Sequence, residues 1–306
     1  METLAVRLEL WLASQRRSLK LSTWLDYQSA IRSRITPGLG HLPLDQVTPR
    51  VVREWVAGLP CGNKRVNNLL IPLRSVLREA FLDEEIEKDL AGRIRNLKVV
   101  KEEPDPLSPV ELRRVIEAAA WESRLQAWVQ FAAWSGLRTG EQIALLWEDV
   151  DFNAGCVWIR RSRTRGETAD PKTAAGQRRL ALLSPAREAL KLIEPFTRLL
   201  RREVFHDPKT GQPWASDAPI RRAWRQTLKN AGVRYRSPYH TRHTFASMLL
   251  SAGESPMWVA HQMGHTDWGM IRMRYGRWLP DSDPEAGQRA TKLWNSMATR
   301  KSSVGR

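Results

Sequence analysis

Residues 239–247 read Tyr-His-Thr-Arg-His-Thr-Phe-Ala-Ser, and they open a predicted helix that runs from residue 241 to 251. Two further stretches place arginine, histidine or tyrosine beside glycine at a predicted helix boundary. Residues 135–141 read Ser-Gly-Leu-Arg-Thr-Gly-Glu, and residues 263–276 run from Met-Gly-His-Thr-Asp-Trp to Arg-Tyr-Gly. Taken singly, each stretch is equally explained by a surface charge or a packing residue at a helix end.

Together, in this order and spacing, the three stretches closely resemble the signature boxes of the tyrosine recombinases, the phage-integrase family. The first box has an arginine in a Gly-Leu-Arg-x-x-Glu context, which Arg138 matches. The second reads His-x-x-Arg-His-Thr-x-Ala, which Arg242 matches. The third places a Gly-His about ten residues before a tyrosine, as His265 and Tyr275 are placed. The resemblance is strong over residues 108–297 and weaker before them.

This resemblance implies a mainly helical fold with a small antiparallel β region, an α+β class divided into two domains. We expect residues 1–97 to form a helical core-site DNA-binding domain of the SAM-like type. Residues 108–297 are expected to form the tyrosine-recombinase catalytic domain. The charged stretch 98–107 carries two prolines and is predicted to be a linker. Residues 298–306 are predicted to be a disordered basic tail.

Residue patterns support the same division. Apolar residues at helical spacing predict four helices before residue 97, including one capped at 22–23 and ended at Pro37. In the second domain, Ser108 followed three residues later by Glu111 predicts a capped helix start. Two strands are predicted at residues 157–160 and 179–183, with turn-forming sequence between them.

The charge balance points to a polyanionic partner. The chain has 49 Lys+Arg against 33 Asp+Glu, a formal net charge of +16, which favours nucleic acid over a generically basic surface. The uncharged stretch 125–137 is too short to cross a membrane. Cys61 and Cys156 form neither a disulfide framework nor a zinc motif and suit a reducing cytosol. We therefore expect a soluble, cytoplasmic, nucleoid-associated protein from a bacterium or phage.

The resemblance also implies roles for individual residues. Tyr275 is the expected nucleophile, forming a 3′-phosphotyrosyl link, although a free tyrosine has a pKa of about 10 and needs help at neutral pH. Arg138 and Arg242 are expected to clamp the phosphate. Lys172, between the two predicted strands, suits the general acid, and His265 is expected to bind the phosphate or assist the tyrosine.

One position departs from the family pattern. Tyr239 stands where the second box has its first histidine, and a tyrosine can still donate a hydrogen bond to a phosphoryl oxygen. We predict a supporting structural role for His243 and an orienting role for Glu141. Two other lysines are alternatives for the general acid, namely Lys191 and Lys209.

Basic residues outside the boxes are candidate DNA contacts, although a solvated surface explains any single one equally well. The predicted contacts are Arg160, Arg161, Arg163, Arg165, Lys64, Arg65, Arg221 and Arg222. No metal and no cofactor is expected, because the arginines supply the charge. An acidic cluster before the first strand leaves a metal site as a minor alternative, formed by Glu148, Asp149 and Asp151.

The function implied is a site-specific recombinase or integrase of a phage or mobile element, acting on double-stranded attachment sites. The resemblance implies a C-shaped clamp around duplex DNA, a monomer without DNA, a homotetramer in the synapse, and DNA-bending accessory proteins as further partners. Many relatives carry an N-terminal arm-site domain, which is expected either to be absent or to precede this sequence in a longer protein. Two alternatives remain: a catalytically silent DNA-binding regulator and a type IB-like topoisomerase.

Overall fold

The computed structural model describes residues 2–100, 102–170, 176–200 and 202–279, together with positions 288, 291, 292 and 294. The chain divides into two compact units, Met1–Glu102 and Glu103–Arg306. This boundary falls within the segment predicted as the linker. Within the described ranges, no helix is both long enough and apolar enough to cross a bilayer.

The first unit is helical. Its core is formed by apolar side chains spaced for one face of each helix, such as Leu4 and Leu8 from the first helix against Leu73 and Val76 from the last. The helices are α1 (Leu4–Ser14), α2 (Leu21–Ala30), α3 (Thr36–Leu39), α4 (Pro49–Ala57) and α5 (Asn63–Leu82).

The predicted bounds of the second helix are wrong at both ends. Helix α2 begins at Leu21, so the residues predicted as its cap lie inside its first turn. At its other end, α2 continues through a π-helical turn, Ile31–Ile35, into α3. Pro37 does not end the helix: it follows directly on the π-helical turn and is the second residue of α3.

The second unit surrounds a central apolar helix. Its helices are α6 (Pro109–Ala119), α7 (Ser123–Ser135), α8 (Thr139–Ile143), α9 (Ser184–Thr197), α10 (Asp217–Asn230), α11 (His240–Ser251), α12 (Pro256–Met263) and α13 (Gly269–Tyr275). Helix α7 is the core of this unit, with Trp128, Phe131 and Ala132 fully buried. The predicted helix start at Ser108 is confirmed, since its Oγ and the Glu111 carboxylate form a reciprocal capping box.

Two small antiparallel sheets complete the second unit and confirm the α+β class. Strands β1 (Val150–Asp151), β2 (Cys156–Ile159) and β5 (Arg178–Ala181) pair in the order β1-β2-β5. Strands β3 (Ser162–Thr164) and β4 (Glu167–Ala169) form a separate hairpin. The two predicted strands therefore exist, with bounds shifted by one or two residues.

Gly136 sets the turn between α7 and α8. Its φ is +64°, a left-handed conformation that glycine adopts most easily, and a Cβ there would lie 2.4 Å from Cδ1 of Phe245 on α11. The close approach lets α11 pack directly on the end of α7. The turn that carries Arg138 and the helix that carries Arg242 are thereby held together.

We expect Gly136→Ala to lower the free energy of unfolding by about 3 kcal/mol, because it adds a clash to the backbone strain. Gly155→Ala is the matched control, since its φ of +60° is similar but an added Cβ meets nothing within 4 Å. It should cost only the backbone strain, about 1 kcal/mol. Urea unfolding of both variants measures the difference, and equal losses would contradict the packing argument.

Candidate active site

Arg242 is a buried cation on the first turn of α11. Its side chain is almost wholly buried, at 1% exposure. Nη1 donates to the carbonyl of Gly136 at 2.6 Å, and Nη2 donates to Nε2 of His265 at 3.1 Å. Burial, reinforced by the charge of Arg138, lowers the pKa of Arg242 to about 10, so the group stays cationic at neutral pH.

The hydrogen-bonding capacity of Arg242 is incompletely used. Its Nε is buried and has no acceptor among the residues that the structure describes. Within the same ranges, its guanidinium forms no ion pair with a carboxylate. A buried cation with spare donors is costly unless an anion binds it. The geometry around Arg242 is therefore suited to a phosphate.

His265 supports Arg242 as a neutral imidazole. Helix α12 ends at Gly264, whose φ of +70° turns the chain and presents His265 immediately after it. Since a guanidinium can only donate, Nε2 of His265 accepts the bond from Arg242 and carries no proton. Burial, together with the nearby arginines, lowers the pKa of His265 to about 4, in agreement with this tautomer.

Arg138 lies at the start of α8 and is partly open to solvent. Its Nη1 donates to Glu141 Oε1 at 2.7 Å, and its backbone N–H donates to Oε2 of the same carboxylate at 3.0 Å. Its Nη2 reaches the carbonyl of Gly264 at 3.5 Å. These contacts support the orienting role predicted for Glu141, and they place Arg138 beside His265.

Arg178 is a third arginine of this cluster that the sequence analysis missed. It lies on β5, is 6% exposed, and donates to Glu141 Oε2 at 3.1 Å and to the carbonyl of Gln262 at 2.7 Å. Burial alone would raise the pKa of Glu141, but Arg178 and Arg138 outweigh it and hold that pKa below its ordinary value. The sequence carries no local signal for Arg178, because Glu141 lies 37 residues away and its burial is evident only in the fold.

We expect Glu141→Gln to lower the free energy of unfolding by about 3 kcal/mol, because it leaves the Arg178 cation buried and unpaired. The matched control is Glu194→Gln on α9, which removes an exposed pair with Arg198 and should cost less than about 1 kcal/mol. Urea unfolding provides both values. Equal losses in the two variants would show that Arg178 does not need the carboxylate.

Tyr275 ends α13 and lies in the apolar cluster formed by α11, α12 and α13. It is 4% exposed, and its hydroxyl oxygen is 2.6 Å from Nδ1 of His243. Burial raises the pKa of Tyr275 above its ordinary value, and Arg242 only partly offsets this effect. The phenol is therefore protonated at neutral pH in the free protein.

The remaining predicted catalytic residues differ in position. Tyr239, immediately before α11, is nearly half exposed, and its ring stands edge-on to the imidazole of His243 at 5.1 Å. Lys172 lies outside the described residues. Of the six predicted catalytic residues, Arg242 contacts His265, and Tyr275 and Tyr239 each contact His243. Arg138 lies next to this group through its contact with the carbonyl of Gly264, the residue before His265.

Several predicted DNA contacts form ion pairs with carboxylates of this chain. Arg161 pairs with Asp149 at 3.0 Å, and Arg163 pairs with Glu203 at 3.3 Å, both largely buried. Arg221 pairs with Asp217 on α10. The other predicted contacts lie at the surface or at its margin: Arg160 over Trp158, Arg165 in the β3–β4 turn, Lys64 and Arg65 at the start of α5, and Arg222 on α10.

The acidic cluster at 148–151 has separate partners. Glu148 and Asp149 pair with Arg161, and Asp151 accepts hydrogen bonds from two backbone N–H groups in the turn that follows it. This arrangement directs the carboxylates to arginines and a turn. It disfavours the alternative of a metal site there.

Two sequence profiles match the chain. The profile described as the Phage integrase family matches residues 106–280, and the one described as the phage integrase N-terminal SAM-like domain matches residues 3–59. The chain therefore belongs to the phage integrase family, the tyrosine recombinases that its sequence boxes resemble.

Individual relatives agree with this assignment. The prophage integrase IntR of Escherichia coli strain K12 is 36% identical over 255 residues, which cover 74% of this chain and 62% of that protein. The ICEBs1 integrase of Bacillus subtilis strain 168 is 21% identical over 308 residues, covering 94% and 82%. The chain thus spans about three fifths of the length of IntR.

Solved structures share the fold. The integrase of the Tn1549 transposon, in complex with a circular intermediate DNA, superposes with a TM-score of 0.76 at 17% identity, covering 96% of this chain and all of that one. A lambda integrase dimer bound to a COC′ core site gives a TM-score of 0.73 at 18% identity, covering 92% and 99%. At these identities the likeness concerns the fold alone.

Proposed function

We propose that the chain is a site-specific DNA recombinase that cleaves and rejoins strands through a 3′-phosphotyrosyl intermediate, in the integration or excision of a phage or mobile element. The observation that carries this proposal is the buried, unsatisfied Arg242, joined to His265 and close to Arg138 and Tyr275. A cationic site of this kind beside a protonated phenol suits a phosphodiester.

In the proposed reaction, the hydroxyl oxygen of Tyr275 attacks the scissile phosphorus. Arg138 and Arg242 donate hydrogen bonds to the non-bridging oxygens, where negative charge grows in the transition state. The bond from phosphorus to the 5′ oxygen breaks, and the leaving oxygen takes a proton from Lys172, the proposed general acid. A 5′-hydroxyl from a partner strand then reverses the step, so the bond energy is conserved without ATP.

The proposed partners follow from the same chemistry. The substrate is double-stranded attachment-site DNA, held largely by phosphate contacts from the surface basic residues. We place the protein in the cytoplasm, at the nucleoid, as a monomer that assembles into a homotetramer on two DNA sites, with DNA-bending accessory proteins as further partners. The DNA-bound dimer of lambda integrase supports a multimer of this kind by analogy.

A nicked suicide duplex tests the proposal. The duplex is built from the DNA junction that flanks the gene for this chain, and the nick lets the cleaved fragment diffuse away. We expect a covalent protein–DNA adduct that resists denaturing gel electrophoresis. No adduct would reject the enzyme and favour the silent regulator. Relaxation of a supercoiled plasmid without exchange between two sites would favour the topoisomerase.

A further inference from the structure

The closest contact of the proposed nucleophile is an imidazole. Nδ1 of His243 lies 2.6 Å from the hydroxyl oxygen of Tyr275, a short hydrogen bond between two buried groups. Their ring centroids are 5.7 Å apart. His243 is 8% exposed and follows Arg242 on α11, so one helix turn presents a phosphate-binding cation and an imidazole to the same reaction.

The direction of this hydrogen bond follows because the buried phenol O–H needs an acceptor. Nδ1 either accepts the phenol proton or donates its own proton to the phenol oxygen. Among the described residues, the Tyr275 hydroxyl makes no other hydrogen bond. If Nδ1 were the donor, the buried O–H would lack an acceptor, a loss that costs about 1–3 kcal/mol. Nδ1 is therefore the acceptor, and Nε2 carries the proton.

From this geometry we propose that His243 is the general base of strand cleavage, a role that rests on the proposed function. As the Tyr275 oxygen bonds to phosphorus, its proton passes to Nδ1, and the bond to the 5′ oxygen breaks. The 5′ oxygen takes its proton from the separate acid. In rejoining, the imidazolium of His243 returns the proton to the departing phenol, so the proton balance closes in both directions.

Burial and the positive charges around His243 prevent it from taking the proton of Tyr275 until DNA binds. Burial, followed by the charges of His240, Arg274 and Arg242, lowers the pKa of His243 to about 4, while burial raises that of Tyr275. Proton transfer is thus strongly uphill in the free protein. A bound phosphodiester adds negative charge beside these arginines, which raises the pKa of the imidazole, and the growing bond to phosphorus removes the affinity of the phenol oxygen for its proton.

The departure at position 239 fits this assignment. Tyr239 stands where the family has a histidine, and its ring packs edge-on against His243, with an interplanar angle of 84°. His240 does not reach the nucleophile, because its Nδ1 lies 3.0 Å from Oγ of Ser237. Of the imidazoles on α11, His243 is the one in contact with the reacting oxygen.

Two substitutions of His243 separate proton transfer from simple positioning. In His243→Asn, the amide oxygen takes the place of Nδ1 and still accepts a hydrogen bond, but it cannot take up a proton. In His243→Phe, the ring volume is kept and the acceptor is lost. The matched control is His261→Asn, an exposed histidine on α12. Single-turnover cleavage of the nicked suicide duplex is measured from about pH 6 to pH 9.

We expect the wild-type rate to change little over this range. Both His243 variants should cleave about 100-fold more slowly at pH 7, with rates that rise about tenfold per pH unit, because deprotonation then depends on hydroxide. The His261→Asn rate should stay within about threefold of wild type. A His243→Asn rate near wild type, or reduced rates with a flat pH dependence, would overturn the proposal, because the amide can position the phenol but cannot take up its proton. Failure of the wild type to cleave would instead reject the proposed function.

A second measurement needs neither DNA nor a variant. Nitrogen-15 NMR of the imidazole rings identifies which nitrogen of His243 carries the proton at neutral pH. We expect Nε2 to be protonated and Nδ1 to be the acceptor. Protonation at Nδ1 would overturn the assignment even if the protein proved to be a recombinase.

Discussion

Tyr275→Phe should abolish the covalent protein–DNA adduct while the protein stays folded and keeps binding DNA. The substitution removes only the hydroxyl, so attack on phosphorus becomes impossible. The ring remains packed against Trp278. The lost hydrogen bond to His243 should lower the free energy of unfolding by about 1 kcal/mol. Adduct yield on the nicked suicide duplex is read on a denaturing gel, and DNA binding is read by mobility shift.

Tyr239→Phe is the matched control for that loss. Tyr239 also contacts His243, but through its ring, which phenylalanine retains. We therefore expect the adduct to form at a rate within about tenfold of wild type, the residual loss being that of a single hydrogen bond to the phosphate. If the adduct still forms in Tyr275→Phe and is lost in Tyr239→Phe, then Tyr239 and not Tyr275 is the nucleophile.

Arg242→Lys should slow strand cleavage by at least about 10³-fold although the positive charge is kept. The guanidinium binds the Gly136 carbonyl and His265 with two nitrogens, and its Nε remains available to a phosphate. A lysine ammonium is a single point on a flexible stem and cannot hold these positions together. Single-turnover cleavage measures the rate directly.

The loss should appear in the chemical step and not in DNA affinity, which is spread over many phosphate contacts. Arg198→Lys serves as the control, because Arg198 is an exposed arginine immediately after α9 and pairs with Glu194. Its cleavage rate should equal that of wild type. A comparable loss in both variants, or an Arg242→Lys rate within about tenfold of wild type, would contradict the assigned role of Arg242.

Local sequence signals predicted much of the fold. The capping box at Ser108, the helical spacing in α5 and the turn glycine at 136 each depend on neighbours within a few residues, and each is present in the structure. The passage from α2 through a π-turn into α3 was not predicted, because proline and glycine ordinarily end helices. There Pro37 directly follows the π-helical turn, and the helix continues past it.

The site was harder to predict where side chains meet across the fold. The boxes placed Arg138, Arg242, His265 and Tyr275 in the candidate site by resemblance. No local pattern indicates that Arg178 on β5 pairs with Glu141, or that His243 points at Tyr275, because these contacts depend on how β5 and α13 pack. Charge alone also does not reveal the carboxylates that pair with Arg161 and Arg163, two of the predicted DNA contacts.

Mapping the residue that carries the DNA identifies the nucleophile directly. The adduct formed on the nicked suicide duplex is digested with nuclease and protease, and the modified peptide is sequenced by tandem mass spectrometry. We expect a nucleotide joined through its 3′-phosphate to the oxygen of Tyr275. A nucleotide on Tyr239, on a serine or on any other side chain would reject Tyr275 as the nucleophile.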